Sequence, residues 1–186
     1  LGRTPGLTDE QSSELFSAAD DEVMELSSLF GEVVDLASDR YTEGPTEDLR
    51  LDETVASCGA RAGRRFDVEI RLDAEPSPVQ GRPAALSRAV DNLLDNAVKW
   101  GADDGPIDVN VAVGRVTVRD RGPGIDAADR DQVFDRFYRS AAARSLPGSG
   151  LGLSIVKQVV DAHGGEVFVQ AAPDGGAIVG FELPTP

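Results

Sequence analysis

The sequence has only one cysteine and one histidine among its 186 residues. With Cys58 alone, the chain cannot form an intrachain disulfide, and this usage agrees with a reducing compartment. Cys58 lies in an alanine- and glycine-rich context, so we expect it to pack against a neighbouring element rather than to act as a nucleophile. His163 stands before Gly164 and Gly165 at the end of a predicted helix, where a polar ring suits the helix dipole. We therefore predict a structural role for it.

Long hydrophobic runs are also missing. No stretch of 18 or more apolar residues occurs, so we expect no part of the sequence to span or contact a membrane. The sequence shows no signal peptide and does not begin with methionine, and we interpret it as an excised cytoplasmic fragment. Its apolar content of 40% suffices for one medium domain with an appendage.

Basic residues are scarce, because 18 Lys and Arg accompany 33 Asp and Glu, for a net charge of −15. Residues 1–53 hold 15 acidic residues and 3 arginines, whereas the remainder holds 18 acidic and 15 basic residues. A chain of this kind lacks the basic footprint that nucleic-acid phosphates require, so we expect no nucleic-acid partner. The nearly neutral remainder would not repel an anionic ligand.

The first 45 residues predict one long amphipathic helix. Thr8 and Gln11 form a candidate capping box, and Gly44-Pro45 ends the helix. Apolar positions separated by steps of four and three residues, with a polar break at Glu22, are Leu15, Ala19, Leu26, Leu29, Val33 and Leu36. A single helix cannot bury this seam, so it either needs partner helices or packs on its own domain. We therefore divide the chain into residues 1–45 and residues 46–186.

From residue 46 onwards the pattern is that of short strands alternating with helices. We predict strands at 49–51, 66–72 and 77–80, a helix at 53–61 capped by Asp52, a helix from Pro83, and hairpins at 107–120 (turning at Gly114) and 167–183. The basic cluster Arg61, Arg64 and Arg65 is interpreted as a solvated surface. The fold class predicted is α/β, with a mixed sheet covered on one face by three helices.

The helix that begins at Pro83 carries the first group of residues that suggests chemistry. Asn92, Asn96 and Lys99 are spaced by four and three residues, so they share one face beside an apolar stripe. Two side-chain amides can offer carbonyl oxygens to a hard cation, and a lysine one turn further can bind phosphate. Two alternatives remain open, namely a polar face in water and a solvated ion pair between Asp95 and Lys99.

Two glycine-rich turns follow this helix. Asp120-Arg-Gly-Pro-Gly124 ends an apolar strand, and its two glycines on either side of Pro123 allow a turn whose backbone can approach a ligand closely. Asp120, at the end of the strand, can accept a hydrogen bond from an exocyclic amine. Gly148-Ser-Gly-Leu-Gly152 opens a helix, whose free N–H groups and dipole favour phosphate. Either turn alone could be an ordinary loop. Together, and in this order after the asparagine face, they predict a nucleotide site.

With these motifs the sequence resembles the C-terminal half of a sensor histidine kinase, within the superfamily of gyrase, a heat-shock chaperone, histidine kinases and MutL. The matching segments are Asn92–Trp100 for the N box, Asp120–Gly124 for the first glycine box, Phe134–Arg139 for the F box, Gly148–Leu153 for the second glycine box, and Gly175-Gly176 for the last one. The tract from Arg136 to Gly150 most resembles MprB-type kinases, which partner OmpR-like response regulators.

The resemblance implies a Bergerat-type ATP-binding fold for residues 46–186, a two-layer α/β sandwich. For residues 1–45 it implies the second helix of the dimerisation and phosphotransfer hairpin, through which an intact, membrane-anchored kinase would form a homodimer. It further implies that the ATP γ-phosphoryl group passes to a histidine and then to an aspartate of a response regulator.

The resemblance also implies roles for individual residues. Asn92, Asn96 and Lys99 would be catalytic, with Asn96 holding Mg²⁺, Asn92 supporting it and Lys99 binding phosphate oxygens. Asp120 would read the adenine amine. Trp100 stands where the family usually has tyrosine, so it would contribute ring packing alone.

Other residues would complete the ATP site. The remaining candidates are Gly122, Gly124, Ile125, Phe134, Arg136, Phe137, Arg139, Gly148, Ser149, Gly150, Leu151, Gly152 and Leu153. Residues 141–147 offer little to anchor them and would suit a lid that orders on nucleotide. Arg136, Arg139 and Arg144 are the nearest cations for phosphates, although each could instead be a surface residue.

The phosphoacceptor segment of the family does not occur in this sequence, and His163 does not replace it. Another chain would therefore have to supply the acceptor histidine. Three rival functions remain, namely an ATP hydrolase of the same superfamily, a serine kinase of the anti-sigma type, and a nucleotide-retaining scaffold without catalysis. Hydrolases place glutamate where Asn92 stands, and an amide cannot accept a proton from water, which favours transfer. The N-terminal seam disfavours the serine kinase, and the complete boxes disfavour the scaffold.

Overall fold

The computed structural model describes residues 44–101, 105–140, 143 and 148–185. The predicted N-terminal helix, Arg144 and all of the 141–147 segment except Ala143 lie outside the described residues. The elements are, in chain order, β1 (Glu47–Arg50), α1 (Leu51–Phe66), β2 (Ile70–Ala74), β3 (Pro78–Gly81), α2 (Pro83–Gly101), β4 (Ile107–Ala112), β5 (Arg115–Arg119), α3 (Gly152–Asp161), β6 (Glu166–Ala171) and β7 (Ala177–Glu182).

Five strands form a mixed sheet in the order β2-β4-β5-β7-β6. The β2–β4 pair is parallel and the other neighbours are antiparallel. Helix α2 packs between α1 and α3, and the three helices together cover one face of the sheet. This arrangement confirms the predicted two-layer α/β sandwich. Strands β1 and β3 pair with each other in a separate two-stranded sheet.

The core lies between the sheet and the helices because every second residue of the central strands faces inward. Ile107, Val109 and Val111 of β4 are buried, as are Val116 and Val118 of β5. Burial of one such side chain contributes about 1.5–3 kcal/mol relative to leaving it exposed. Because these two strands are central in the sheet and lie under α2, they hold the helix that carries the predicted site.

The predicted hairpin between β4 and β5 is confirmed, with its two-residue turn at Val113 and Gly114. Both residues have positive φ, 50° and 76° respectively. A type I′ hairpin turn requires such angles at both central positions, and glycine adopts them without strain. Val113 is β-branched and 67% exposed, so it occupies this backbone region without compensating burial.

The predicted boundaries of the first helix and of the strand after it are wrong. Helix α1 runs from Leu51 to Phe66, so it starts earlier and ends later than predicted, and β2 begins only at Ile70. The helix ends because Asp67 takes a left-handed conformation, with φ 53° and ψ 43°. Phe66, Val68 and Ile70 all pack against the core, although they belong to a helix end, a connection and a strand. Because these three apolar residues are spaced by two, the sequence pattern resembled the alternation of a single strand.

Asp52 does not cap α1 as predicted, because the residue at the N-cap position is Arg50. The Asp52 carboxylate instead accepts hydrogen bonds from the Arg50 guanidinium and, at 2.8 Å, from the Ser77 backbone N–H. The Arg50 hydrogen bond, followed by the Ser77 donor, lowers the pKa of Asp52 to about 2. Asp52 thus ties the start of α1 to the connection that leads into β3.

The basic cluster on α1 is more than a solvated surface. Arg61 Nη2 lies 3.0 Å from both carboxylate oxygens of Asp91 in α2, and Arg65 Nη1 lies 3.9 Å from Asp95 Oδ2. These side chains remain partly exposed, so each pair is worth about 1 kcal/mol or less. The pairs nevertheless connect the surfaces of α1 and α2.

Both rare residues lie in structural positions. Cys58 is fully buried against α2, with Sγ 3.7 Å from the Ser87 carbonyl oxygen, and burial raises the pKa of its thiol to about 11. His163 Nδ1 lies 2.6 Å from the Val159 carbonyl oxygen, while Nε2 accepts the Arg82 N–H at 3.0 Å. His163 thereby joins the end of α3 to the start of α2. Burial lowers the pKa of His163, which favours the neutral ring that this pairing requires.

Within the described ranges, no helix has the length and apolar composition to cross a membrane.

Candidate nucleotide-binding site

The candidate site begins on helix α2, which brings Asn92, Asn96 and Lys99 to one wall of a cavity, as their spacing predicted. Asn92 is buried, and its Nδ2 donates to the Arg88 carbonyl oxygen at 2.8 Å. Its Oδ1 faces the second glycine loop, because a Cβ built on Gly152 would lie 3.2 Å from that oxygen. The amide nitrogen is thus held by the helix, and the amide oxygen is presented to the loop.

Lys99 reaches across the cavity to the same loop. A Cβ built on Gly148 would lie only 2.6 Å from Lys99 Nζ, so the ammonium group rests against the loop backbone. The Nζ atom also lies 5.5 Å from the centroid of the Trp100 ring, within the range of a cation–π interaction. Asp95, the alternative partner considered for Lys99, has Oδ2 3.9 Å from Arg65 Nη1 and also lines the cavity, so the Asp95–Lys99 pair stays an open alternative.

The first glycine loop follows β5 and starts at Asp120, which is 3% exposed. Asp120 Oδ1 accepts the backbone N–H groups of Gly122 at 3.0 Å and of Ala177 at 3.2 Å. Burial raises the pKa of Asp120, and these two donors oppose the rise because they stabilise the carboxylate. The side chain is therefore fixed at the edge of the cavity as a hydrogen-bond acceptor.

Backbone packing holds the first loop in place. A Cβ on Gly122 would lie 2.0 Å from the Trp100 carbonyl oxygen, and one on Gly176 would lie 2.0 Å from the Asp120 carbonyl oxygen. The end of α2, the first glycine loop and the last glycine box therefore meet backbone to backbone. This contact explains why the weak Gly175-Gly176 box matters to the site.

The second glycine loop leads into α3. The Phe137 N–H donates to the Gly150 carbonyl oxygen at 3.1 Å, and the Leu151 N–H donates to Ser149 Oγ at 3.0 Å. The Ile155 N–H is bonded to the Leu151 carbonyl oxygen at 2.9 Å. The N-cap residue of α3, Leu151, makes no side-chain capping hydrogen bond. The first N–H groups of α3 can therefore meet an anion, as predicted.

These parts surround a cavity of about 860 Å³, which is the size range of small-molecule sites. Thirteen of the predicted residues line it, namely Asn92, Asn96, Lys99, Trp100, Asp120, Gly124, Ile125, Arg139, Gly148, Ser149, Gly150, Gly152 and Leu153. The helix face and both loops therefore share one space.

Five predicted site residues do not line this cavity. Leu151 is fully buried and Phe134 packs against the core. Gly122 serves the backbone contact described above. Arg136 is exposed, and Phe137 is 64% exposed with a positive φ of 63°. Contacts of these residues with a nucleotide stay a prediction.

The cavity wall also contains residues that sequence reasoning missed, namely Asp95, Pro123, Asp126, Asp129, Val133, Tyr138, Ser140, Ala143 and Ala177. Most of them lie inside or next to the boxes, and that proximity was a usable signal. Tyr138 even belongs to the F box, and its hydroxyl donates to Asp129 Oδ1 at 2.6 Å. Ala177 carried no signal beyond its position after Gly176.

The chemistry of the wall fits a nucleotide with a hard cation. Asp120 supplies an acceptor for a base amine, while Lys99 and the start of α3 supply positive charge for phosphates. Among the residues that the structure describes, no group of three His, Cys, Asp or Glu could hold a metal. The side-chain amide oxygens of Asn92 and Asn96 are groups on this wall that could hold Mg²⁺ together with phosphate oxygens and water.

Comparison with known proteins agrees with this geometry. Residues 81–186 match the family of histidine kinase-, DNA gyrase B- and HSP90-like ATPases. The chain belongs to this family, and within it to the ATP-binding catalytic domains of histidine kinases. The resemblance identified from the boxes is thereby confirmed.

Individual relatives show which histidine kinases the chain is similar to. The chain is 40% identical to the signal transduction histidine-protein kinase/phosphatase MprB of Mycolicibacterium vanbaalenii over 185 residues, which are 96% of this chain and 38% of that protein. It is 41% identical to a solved mycobacterial sensor histidine kinase MprB, with a TM-score of 0.68, covering 75% of this chain and 98% of that one. Full-length ShkA in complex with AMPPNP is 26% identical, with a TM-score of 0.71, covering 97% of this chain and 40% of that one. The chain thus spans well under half the length of the curated MprB relative.

Proposed function

We propose that this domain binds ATP with Mg²⁺ and transfers the γ-phosphoryl group to a histidine on a separate helix. The phosphohistidine then passes the group to an aspartate of a response regulator. The observation that carries the proposal is the convergence of the α2 amides and lysine, the Asp120 loop and the uncapped start of α3 in one cavity. A similar protein, ShkA, was solved with the ATP analogue AMPPNP, which supports a nucleotide as the occupant.

The proposed roles follow from the contacts. Asp120, which is fixed by two backbone donors, accepts the adenine amine. Asn96, with Asn92 in support, would hold Mg²⁺, which would supply positive charge beside the phosphates. Lys99 and the α3 N–H groups bind phosphate oxygens. Arg139 is already bonded to the Ala143 carbonyl oxygen, so it would bind phosphate only by giving up or sharing that bond.

Phosphotransfer is favoured over ATP hydrolysis by the amide at position 92. Asn92 Nδ2 is committed to the Arg88 carbonyl oxygen, and an amide oxygen does not accept a proton at neutral pH. The site therefore has no evident base for water at this position. Slow ATP turnover without an acceptor and labelling of a separately supplied acceptor hairpin would support transfer. Rapid multiple turnover would support the hydrolase, and absence of both would support the scaffold.

The remaining parts of the proposal concern the intact protein. Residues 1–45 are proposed as part of a dimerisation and phosphotransfer hairpin, which forms a homodimer, and residues 46–186 as the catalytic domain. The tract from Arg136 to Gly150 and the MprB relatives support an OmpR-like response regulator as the partner. We propose a cytoplasmic location for this domain and membrane anchoring for the parent kinase.

Asn96→Ala tests the metal site. We expect this change to remove most of the Mg²⁺-dependent gain in ATP affinity, because one of two metal-binding amides is lost. The measurement is titration of the protein with ATP with and without Mg²⁺, followed by the fluorescence of Trp100, the single tryptophan, which lines the cavity. Asn110→Ala is the matched control, because Asn110 is exposed on β4 away from the cavity wall.

One outcome would contradict the assignment of Asn96 as a metal ligand. If Asn96→Ala binds ATP with unchanged affinity and unchanged metal dependence, Asn96 is not a metal ligand. If the unmodified protein shows no ATP binding, the proposed function itself is rejected.

A further inference from the structure

Between the two glycine loops, the Tyr138 hydroxyl donates to Asp129 Oδ1 at 2.6 Å. Both residues line the cavity, and neither belongs to the residues assigned above. Hydrogen bonds to a carboxylate are about twice as strong as bonds between neutral groups. We propose that Tyr138 and Asp129 are positioning residues, whose bond, named here the clasp, holds the second glycine loop in the shape that binds the triphosphate. This inference rests on the proposed function, and it concerns the phosphate end of the same site.

One side of the clasp is anchored in a segment of successive turns. The Asp129 N–H donates to the Asp126 carbonyl oxygen at 3.0 Å. The Asp129 carbonyl oxygen accepts the N–H groups of Gln132 at 2.9 Å and Val133 at 3.0 Å. Phe134, next along the chain, packs against the core. The Asp129 carboxylate is therefore presented from a backbone that is fixed on both sides.

The other side of the clasp bears on the second glycine loop. A Cβ on Gly150 would lie 2.7 Å from the Tyr138 carbonyl oxygen and 3.1 Å from Arg139 Cγ, so the Tyr138 backbone abuts the loop. The neighbouring Phe137 N–H bonds to the Gly150 carbonyl oxygen at 3.1 Å. Any displacement of Tyr138 therefore moves Gly150, and with it the approach to α3.

The backbone between these contacts is strained. Phe137 has a φ of 63°, a region that bulky residues avoid, and its side chain is 64% exposed. Burial of the ring cannot compensate for this conformation, so neighbouring contacts must hold it. The bond to Gly150 holds Phe137, and on the other side Tyr138 is held by the clasp together with its own N–H, which donates to the Asp135 carbonyl oxygen at 3.2 Å. Loss of the clasp would let this peptide relax and release the loop.

The clasp predicts an effect on the phosphates and not on the base. In Tyr138→Phe the ring stays and the hydroxyl is lost, and we expect the affinity for AMPPNP to fall about tenfold. Affinity for adenosine should not change, because Asp120 lies in the other loop. Asp129→Ala should have the same effect, and the double variant should be no weaker than either single variant, since all three lack the same bond. Asp129→Asn keeps an acceptor oxygen and should retain most of the affinity.

The experiment measures AMPPNP and adenosine binding to the full 186-residue chain by Trp100 fluorescence, with thermal unfolding of each variant in parallel. Tyr41→Phe, the same change at the only other tyrosine, and Asp131→Ala, an exposed aspartate in the same segment, are the controls. If Tyr138→Phe unfolds, the comparison of Asp129→Asn with Asp129→Ala carries the test.

Additive losses in the double variant would overturn the clasp, because they mean that Tyr138 and Asp129 act independently. Equal losses for AMPPNP and adenosine would also overturn it, since they indicate a general defect. In both cases the proposed function stands, because the unmodified protein binds AMPPNP. If the unmodified protein fails to bind AMPPNP, the proposed function and the clasp are both rejected.

Discussion

The glycines of the first loop, Gly122 and Gly124, pack against backbone, whereas in the second loop Gly148 and Gly152 pack against side chains of the cavity wall and Gly150 packs against backbone. At Gly122 a Cβ would collide with the Trp100 carbonyl oxygen at 2.0 Å. At Gly148 and Gly152 a Cβ would instead meet Lys99 Nζ at 2.6 Å and Asn92 Oδ1 at 3.2 Å. Two motifs of similar composition thus have different purposes. The first joins α2 to β5, and the second leaves room for the ends of two functional side chains.

Gly122→Ala should have the largest effect and should act on stability. The added methyl group cannot be accommodated by a side-chain rotation, because the Trp100 carbonyl belongs to the last turn of α2. We expect a loss of about 3 kcal/mol in the free energy of unfolding. Denaturant unfolding followed by circular dichroism measures this loss.

Gly59→Ala is the control for this prediction. A Cβ there would make ordinary contact with Ile70 Cγ2 at 3.4 Å inside α1, so alanine should be neutral or stabilising. A Gly122→Ala protein that is as stable as the control protein would mean that the first loop can move away from α2, and the contrast between the loops would disappear.

Gly148→Ala should have a smaller effect on stability and should act mainly on binding. Gly148 has a φ of 135°, so alanine costs about 1 kcal/mol of backbone strain. Its methyl group would displace Lys99 Nζ, the flexible end of a side chain, from the loop. We expect ATP affinity to fall about tenfold, as for the loss of one charged phosphate contact. Titration with ATP and thermal unfolding of the same variant separate the two effects.

Gly175→Ala provides the matched comparison. Gly175 also has a positive φ, 96°, but a Cβ there would meet no atom within 4 Å. It should therefore show the strain without the loss of affinity. Equal affinity losses in both variants would mean that strain, and not displacement of Lys99, weakens binding.

The helix face of the site could be predicted from the sequence because helical geometry is local. Spacings of four and three residues place Asn92, Asn96 and Lys99 on one side of any regular helix, and the structure places all three on the cavity wall. The predicted sheet and its two hairpins have the same origin, since strand alternation and turn residues are local signals. The order of the motifs then identified the family.

The different purposes of the two glycine loops could not be predicted from the sequence. What a glycine makes room for depends on a neighbour that is distant in the chain, as Trp100 is for Gly122 and Asp120 is for Gly176. Likewise, nothing local distinguishes Leu151, which is buried in the core, from Leu153, which lines the cavity. The hydrogen bond between Tyr138 and Asp129 was missed because the two residues lie nine positions apart in a segment of turns, which has no helical or strand period to bring them together.

The smallest predicted effect is a pH dependence that belongs to the first loop alone. Burial raises the pKa of Asp120 above its usual value of 3.8, so the free protein protonates this carboxyl at a higher pH than an exposed aspartate. In the proposed function, the ionised form of Asp120 is the acceptor for the adenine amine. Adenosine affinity should therefore fall as the pH is lowered through the raised pKa of Asp120. The free energy of unfolding should instead fall as the pH rises through the raised pKa. The raised pKa means that the folded state favours the protonated carboxyl, and this contribution to stability is lost when the carboxyl ionises.

Asp120→Asn isolates this effect, because asparagine cannot titrate. Its amide nitrogen would stand where an acceptor faces the Gly122 and Ala177 N–H groups, so its adenosine affinity should be lower at every pH. Any remaining variation with pH should reflect protonation of the adenine base, which both proteins share. Adenosine is the ligand of choice, since it has no phosphate that titrates. The measurement compares the slopes of affinity against pH for the two proteins. Parallel slopes would show that Asp120 does not contact the base, and the first loop would then serve only to join α2 to β5.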